Sequence, residues 1–230
     1  MVFHLLRLLK KKTKDIISHK KFNTMKERPI IFSTPMVQAI LDERKSMTRR
    51  VLKRYPNEKA TIFEESSAWP KQGTHVAKFR YPGDLERYEI TDILKCPYGK
   101  TGDRLWVRET WAKVSVPDGT TARKIMTVFR ASVCSDDKPA NGWKPSIYMP
   151  RSISRILLEI TNIHVQRLHD ISESDAIKEG MRHDLSIIGG KFRMLDDNLT
   201  PRASFVNLWI HINGSWLNNP WVWVIEFKRI

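Results

Sequence analysis

Cysteine is nearly missing from this chain of 230 residues: Cys96 and Cys134 are the only two. Two cannot build a disulfide framework, nor a zinc site of four thiolates. A mixed zinc site would have to recruit histidines such as His75, His164 or His183, and no ligand spacing among them supports one. No metal and no cofactor is therefore expected. Long apolar runs are missing too. The opening stretch MVFHLLRLLKKK is broken by His4 and Arg7 and is too short to span a bilayer. Its apolar residues precede its lysines, the reverse of a signal peptide, so a cytoplasmic location with reduced thiols is expected. There is no phosphate loop, no HExxH and no GxSxG. The KTGD of residues 100–103 lacks the glycine spacing of a phosphate loop and runs into a strand. Internal repeats are absent, and so is a regular strand–helix alternation, which excludes a doubly wound parallel sheet.

What the chain does have is positive charge and aromatic residues. It carries 40 Lys and Arg against 25 Asp and Glu, a net of +15. A hydrophobic content of 41% with eight tryptophans marks a globular protein rather than a disordered one. Residues 1–28 hold nine Lys and Arg against Asp15 and Glu27, and the remainder is still clearly basic. Such a field favours polyanions, so nucleic acid is the first partner to consider. Residues 1–28 read as a basic, weakly helical or unstructured extension. Residues 29–230 read as the folded domain, with an insertion around 53–95.

Along the domain, RPIIFST reads as a strand. TPMVQAILDER follows as a short helix, with Thr34 as N-cap and Pro35 in its first turn. SMTRRVLK returns to extended structure. Residues 53–74 read as loop, and HVAKFRY and RYEITDIL as a hairpin about a YPGD turn. RLWVRETW, KIMTVFRAS and RILLEITNIHVQRL are strands, the last either one long strand or two. SESDAIKEGM is a helix capped by Ser172 and stopped by Gly180. TPRASFVNLWIHING is the clearest helix, with Phe205, Leu208, Trp209 and Ile212 on one stripe. PWVWVIEFKRI closes the chain as a strand. Six or seven strands with three short helices make an α+β fold, best arranged as a small β-barrel or highly curved sheet with helices on its rim.

One stretch stands out, ILDERKSMTRRVL at 40–52. On residue type alone Lys45 is an exposed helix-end lysine, and Thr48 an ordinary strand threonine. Arg49 and Arg50 lie between Met47 and Val51, so alternation sends one of them inward, where it needs a partner. Glu179 sits one residue before a helix-ending glycine, where the helix dipole disfavours a carboxylate. Two further clusters are candidates for ligand or nucleic-acid contact. In WVRETW, Trp106 reads as core, Arg108 and Glu109 as an ion pair, and Trp111 as core or as a platform for a stacked base. In WKPSIYMPRSISR, Trp143, Tyr148 and Arg151 read as a pocket rim. Trp209, Trp221 and Trp223 read as packing.

Taken in order, ERKSMTRR, KTGDRLWV, ISESDAIKEGM and VWVIEF resemble the ASCH domain family of the PUA-like superfamily. CPYGKTGDRLWVRETW, WKPSIYMPRSISRI and NPWVWVIEF resemble its phage and prophage members in particular. The resemblance covers roughly residues 29–230 and implies a PUA-like β-barrel with a cleft between the first motif and the SESDAIKEG helix. It also implies binding of RNA or a nucleoside, in a bacterial host cytoplasm if the chain is phage-encoded. One branch of the family hydrolyses the acetyl amide of N4-acetylcytidine through a lysine, a threonine three residues on and a glutamate of a later helix. Lys45, Thr48 and Glu179 fall on those positions. The motif's opening glycine is Glu43 or Arg44 here, and the chain is about twice the length of those small hydrolases. Three activities follow: an amidohydrolase acting on an N-acylated cytosine, a non-catalytic RNA- or DNA-binding module, and, less favoured, a ribonuclease. For the first, Lys45 would serve as base, Thr48 as nucleophile or water holder, and Glu179 as proton carrier. Backbone N–H groups or Arg50 would stabilise the oxyanion.

Overall fold

The computed structural model describes residues 25–53, 61–66, 75–81, 89–117, 119, 123–133, 139–182, 185–188, 191–194 and 200–230. The readings made for residues 1–24, the YPGD turn, Cys134 and His183 lie outside them. The described fold is α+β, mostly strand with few helices. Its centre is a five-stranded sheet in the order β1 (Glu27–Ile31), β6 (Arg104–Arg108), β9 (Leu157–Arg167), β12 (Trp221–Arg229), β2 (Met47–Val51). β1 runs parallel to β6, and the other pairs are antiparallel.

Both faces of this sheet are covered, which explains why β12 reads as a nearly unbroken apolar run. Trp221, Trp223, Ile225 and Phe227 point to one core, together with Ile30, Phe32 and Leu105. Val222 and Val224, on the opposite face, join a second core with Met47, Phe205, Leu208 and Trp209. In β9 the residues facing the first core change phase, from Leu158 and Ile160 to Ile163 and Val165. The cause is a bulge: Ile160 pairs with Phe227 and Asn162 with Glu226, leaving Thr161 as the extra residue. The imperfect alternation of this stretch is therefore one long strand with a kink.

The helices are α1 (Thr34–Leu41), α2 (Glu173–Lys178) and α3 (Pro201–Asn213). α1 starts one residue earlier than its sequence suggests: Ser33, not Thr34, is the N-cap, and no side chain caps it. Ser172 and Thr200 do cap α2 and α3, accepting from the N–H groups of Asp175 and Ala203. Ile212 departs from the expected apolar stripe and is largely exposed.

Three smaller sheets complete the described elements. β3 (Thr61–Ser66), β4 (Val76–Tyr81) and β5 (Glu89–Lys95) form an antiparallel set, so a strand stands within the stretch read as loop. Ala77 and Phe79 of β4 are buried in the first core, which ties this region to the body. RLWVRETW is split into β6 and the start of β7 (Trp111–Pro117), which pairs with β8 (Arg123–Phe129). β10 (Leu185–Ile188) pairs with β11 (Lys191–Met194). Twelve strands among the described residues exceed the six or seven expected, because short pairs carry weak periodicity.

No strand ladder joins β1 to β2, and the sheets are not closed into a barrel among the described residues. The two edges nonetheless approach each other. Arg50 of β2 donates to the Ile31 carbonyl of β1 at 2.6 Å and lies over the Phe32 ring at 5.2 Å. At the start of β6, buried Asp103 accepts from the Lys26 N–H and from Arg28, fixing β1 beside it. Gly99 is required there: a Cβ would lie 2.5 Å from the Asp103 carboxylate.

Candidate functional site

The end of α2 is laid against the start of β2. Gly180 adopts a φ of 95°, which stops the helix and turns the chain. The Ser46 N–H donates to the Lys178 carbonyl, and Arg44 to that of Gly180. This docking brings Glu179 onto Lys45 across 134 positions of sequence. Lys45 Nζ lies 2.6 Å from Glu179 Oε2 and 2.9 Å from the Glu179 carbonyl. Both side chains are buried, contrary to the exposed surface residues that residue type alone suggests.

Arg49 is the inward-facing arginine. Its guanidinium meets Asp175 at 2.8 Å and the other oxygen of Glu179 at 3.3 Å. Glu179 is thus held between two cations, one on each side of β2, which offsets its unfavourable place at a helix C-terminus. Burial lowers the pKa of Lys45 from its ordinary 10.5. The contact with Glu179 opposes that fall, and Arg50 and Arg49 add to it. The phenol of Tyr98 is shifted upward, by burial first.

Beside this network lies a cavity of about 150 Å³, bordered by Thr48, Arg49, Arg50, Val51 and Glu179. Met36 and Tyr98 close one side, and Phe205, Leu208, Trp209, Ile212 and Asn213 of α3 the other. A space of this size holds one six-membered ring. Thr48 is 2% exposed and contacts the cavity directly. Lys45 reaches it through Glu179.

The structure thus brings together Lys45, Thr48, Arg49, Arg50 and Glu179, and leaves the other six candidates away from the cavity wall. Glu109 does not pair with Arg108. It is buried and held by a two-pronged contact with Arg155, at 2.9 Å to each oxygen. Arg108 turns to the carbonyls of Met149 and Ile147 and covers Trp106, which is half-buried rather than core. Trp111 is buried, with Lys144 over its ring, so it is not an open stacking platform. Trp143 is half-buried under Arg130, Tyr148 is exposed, and Arg151 pairs with Glu27.

Sequence reasoning overlooked Asp175 as an ion-pair partner, Tyr98 and Met36 as cavity wall, and the second role of α3. Asp175 carried a signal, being a weak capping partner free to turn elsewhere. Tyr98 lies in turn chemistry and carried none. Among the described residues no cluster of His, Cys, Asp and Glu suits a metal ion, and no helix is long and apolar enough to cross a membrane. The Cys96 thiol is pushed up to about 12 by burial. No protein-family model, curated protein or solved structure matches this chain.

Proposed function

We propose that the chain is a nucleoside-recognising amidohydrolase of the ASCH type, which removes an N-acyl group from a modified cytosine such as N4-acetylcytidine. The observation that carries this reading is the buried Lys45–Glu179 pair, whose carboxylate lines, together with Thr48, a cavity sized for one ring. A non-catalytic groove for a strand of nucleic acid has no need of a desolvated amine in contact with a carboxylate. The reading includes a PUA-like β-barrel. Its support is the approach of the two sheet edges through Arg50, Ile31 and Phe32.

In this mechanism the Thr48 hydroxyl attacks the acyl carbonyl. Its proton passes to the Glu179–Lys45 pair, and the lowered pKa of Lys45 keeps an acceptor available. Arg50, at the cavity wall, faces the developing oxyanion. The C–N bond breaks as the pair returns the proton to the departing nitrogen. Water then cleaves the Thr48 ester, releasing acetate and restoring the hydroxyl. Incubation with N4-acetylcytidine is expected to yield cytidine and acetate, and Lys45→Ala to lower kcat at least 100-fold. Absence of turnover by the unaltered chain, or an undiminished rate in Lys45→Ala, would overturn the reading.

A second reading, an RNA- or DNA-binding module, is favoured by the net charge of +15. The two are compatible if the modified base is presented within RNA.

A further inference from the structure

The cavity touches Thr48, Arg49, Arg50 and Val51, four consecutive residues of one strand. Side chains of neighbouring strand residues point to opposite faces, so a space that meets four in a row meets the strand edge-on. β2 is an edge strand, paired only with β12. The hydrogen bonds flanking that pairing run from the Leu52 N–H to the Trp221 carbonyl and from the Phe227 N–H to the Ser46 carbonyl. By the antiparallel alternation, the amides of Thr48 and Arg50 therefore point at β12, and those of Arg49 and Val51 point away from it. Among the described residues no group accepts from or donates to the Arg49 and Val51 backbones on that side. Lower down, the same edge is occupied by Lys178 and Glu179. The open part of the edge is the part that borders the cavity.

The walls fit the same geometry. Tyr98 lies toward the first core, and Phe205, Leu208 and Trp209 toward the second, on either side of the plane in which strand amides project, while Met36 packs against both cores. A flat ring between them would lie in the plane of the sheet, with its edge against β2.

We propose that the free edge of β2 reads the base: the backbone N–H and C=O groups of Arg49 and Val51 bond to the Watson–Crick edge of an unpaired pyrimidine. The proposal rests on the reading that this cavity receives a nucleobase, and it adds what selects it. A ring nitrogen that accepts, next to an exocyclic N–H that donates, matches the alternating strand edge, and an acylated cytosine keeps both. Outward pairs recur every two residues, about 6.8 Å apart. Arg49 and Val51 together therefore span the ring and its acyl amide. A base already paired in a duplex has this edge occupied and is refused.

The test is calorimetric titration of the full chain with N4-acetylcytidine, cytidine, 3-deazacytidine and 3-methylcytidine. The last two lack the ring acceptor or have it blocked. Binding of the first two, with a loss of tenfold or more for the others, is expected. Val51→Pro deletes one outward N–H without touching the β12 ladder, a change that edge strands accept. It is expected to weaken binding of cytidine tenfold with little change in Tm. Equal binding of cytidine and 3-deazacytidine would overturn the edge reading while leaving the nucleoside site standing, and so would undiminished binding by a folded Val51→Pro. Failure of every nucleoside to bind would overturn both. Binding without hydrolysis would remove the enzymatic reading and leave this one intact.

Discussion

At the scale of residues, the site is a set of charges out of water, and their pairing decides what each substitution does. Glu179 has two cationic neighbours, whereas Lys45 has one carboxylate and one carbonyl. Glu179→Ala therefore strips Lys45 of its counter-charge in a desolvated place and is expected to cost about 3 kcal/mol in urea unfolding. Lys45→Met replaces the amine with an apolar chain of similar length, and Glu179 keeps Arg49, so its cost is expected to be about 1 kcal/mol or less. The pH dependence has a defined sign. The folded pKa of Lys45 lies below the 10.5 of the unfolded chain, so between those values the unfolded state binds more protons. Stability contributed through Lys45 thus rises with pH across that window and is lost as pH falls through the folded pKa. The Tm advantage of the unaltered chain over Lys45→Met is expected to widen as pH rises toward 10.5. A difference that does not vary with pH would mean that Lys45 titrates as an ordinary surface lysine.

At the scale of elements, the arrangement depends on where α2 stops. A Cβ at Gly180 would lie 2.9 Å from the Ala39 Cβ and 3.2 Å from the Lys45 Cβ, and the φ of 95° is itself strained for any other residue. Gly180→Ala is expected to cost about 1–3 kcal/mol and to push Lys45 off Glu179. Turnover should fall more than stability predicts, which parallel kinetic and thermal measurements on the variant would detect. This dependence also shows what was legible in the sequence. The caps of α2 and α3, the glycine stop at 180 and the apolar run of β12 are local signals, and each marks its element. β3 was missed because its six residues lie in a polar stretch whose pairing with β4 is set by tertiary contact. Lys45 and Glu179 are separated by 134 positions, so only a resemblance across the whole chain brought them together. Phe205, Leu208 and Trp209 of the α3 stripe are core as read, Ile212 is not, and nothing in the spacing told that the outer end also walls a cavity.

At the scale of the whole molecule, the charge and the site are different things. Within the network, Lys45 and Arg49 are balanced by Glu179 and Asp175, so the net of +15 must act elsewhere. Residues 1–24 alone hold seven Lys and Arg against Asp15. If the substrate is a free nucleoside, salt should leave kcat/KM nearly unchanged, because a neutral nucleoside carries no phosphate and releases no counterions. If the base is presented within single-stranded RNA, log(kcat/KM) should fall with log[salt], by about 0.7 per phosphate contacted. We expect the second behaviour for an acetylated oligoribonucleotide and the first for the nucleoside, measured on one preparation between about 50 and 200 mM salt. Removing residues 1–24 should then reduce the RNA slope without changing the rate on the nucleoside. A salt-independent rate on RNA would separate the positive field from catalysis altogether, and would leave the cavity as the sole determinant of what is cleaved.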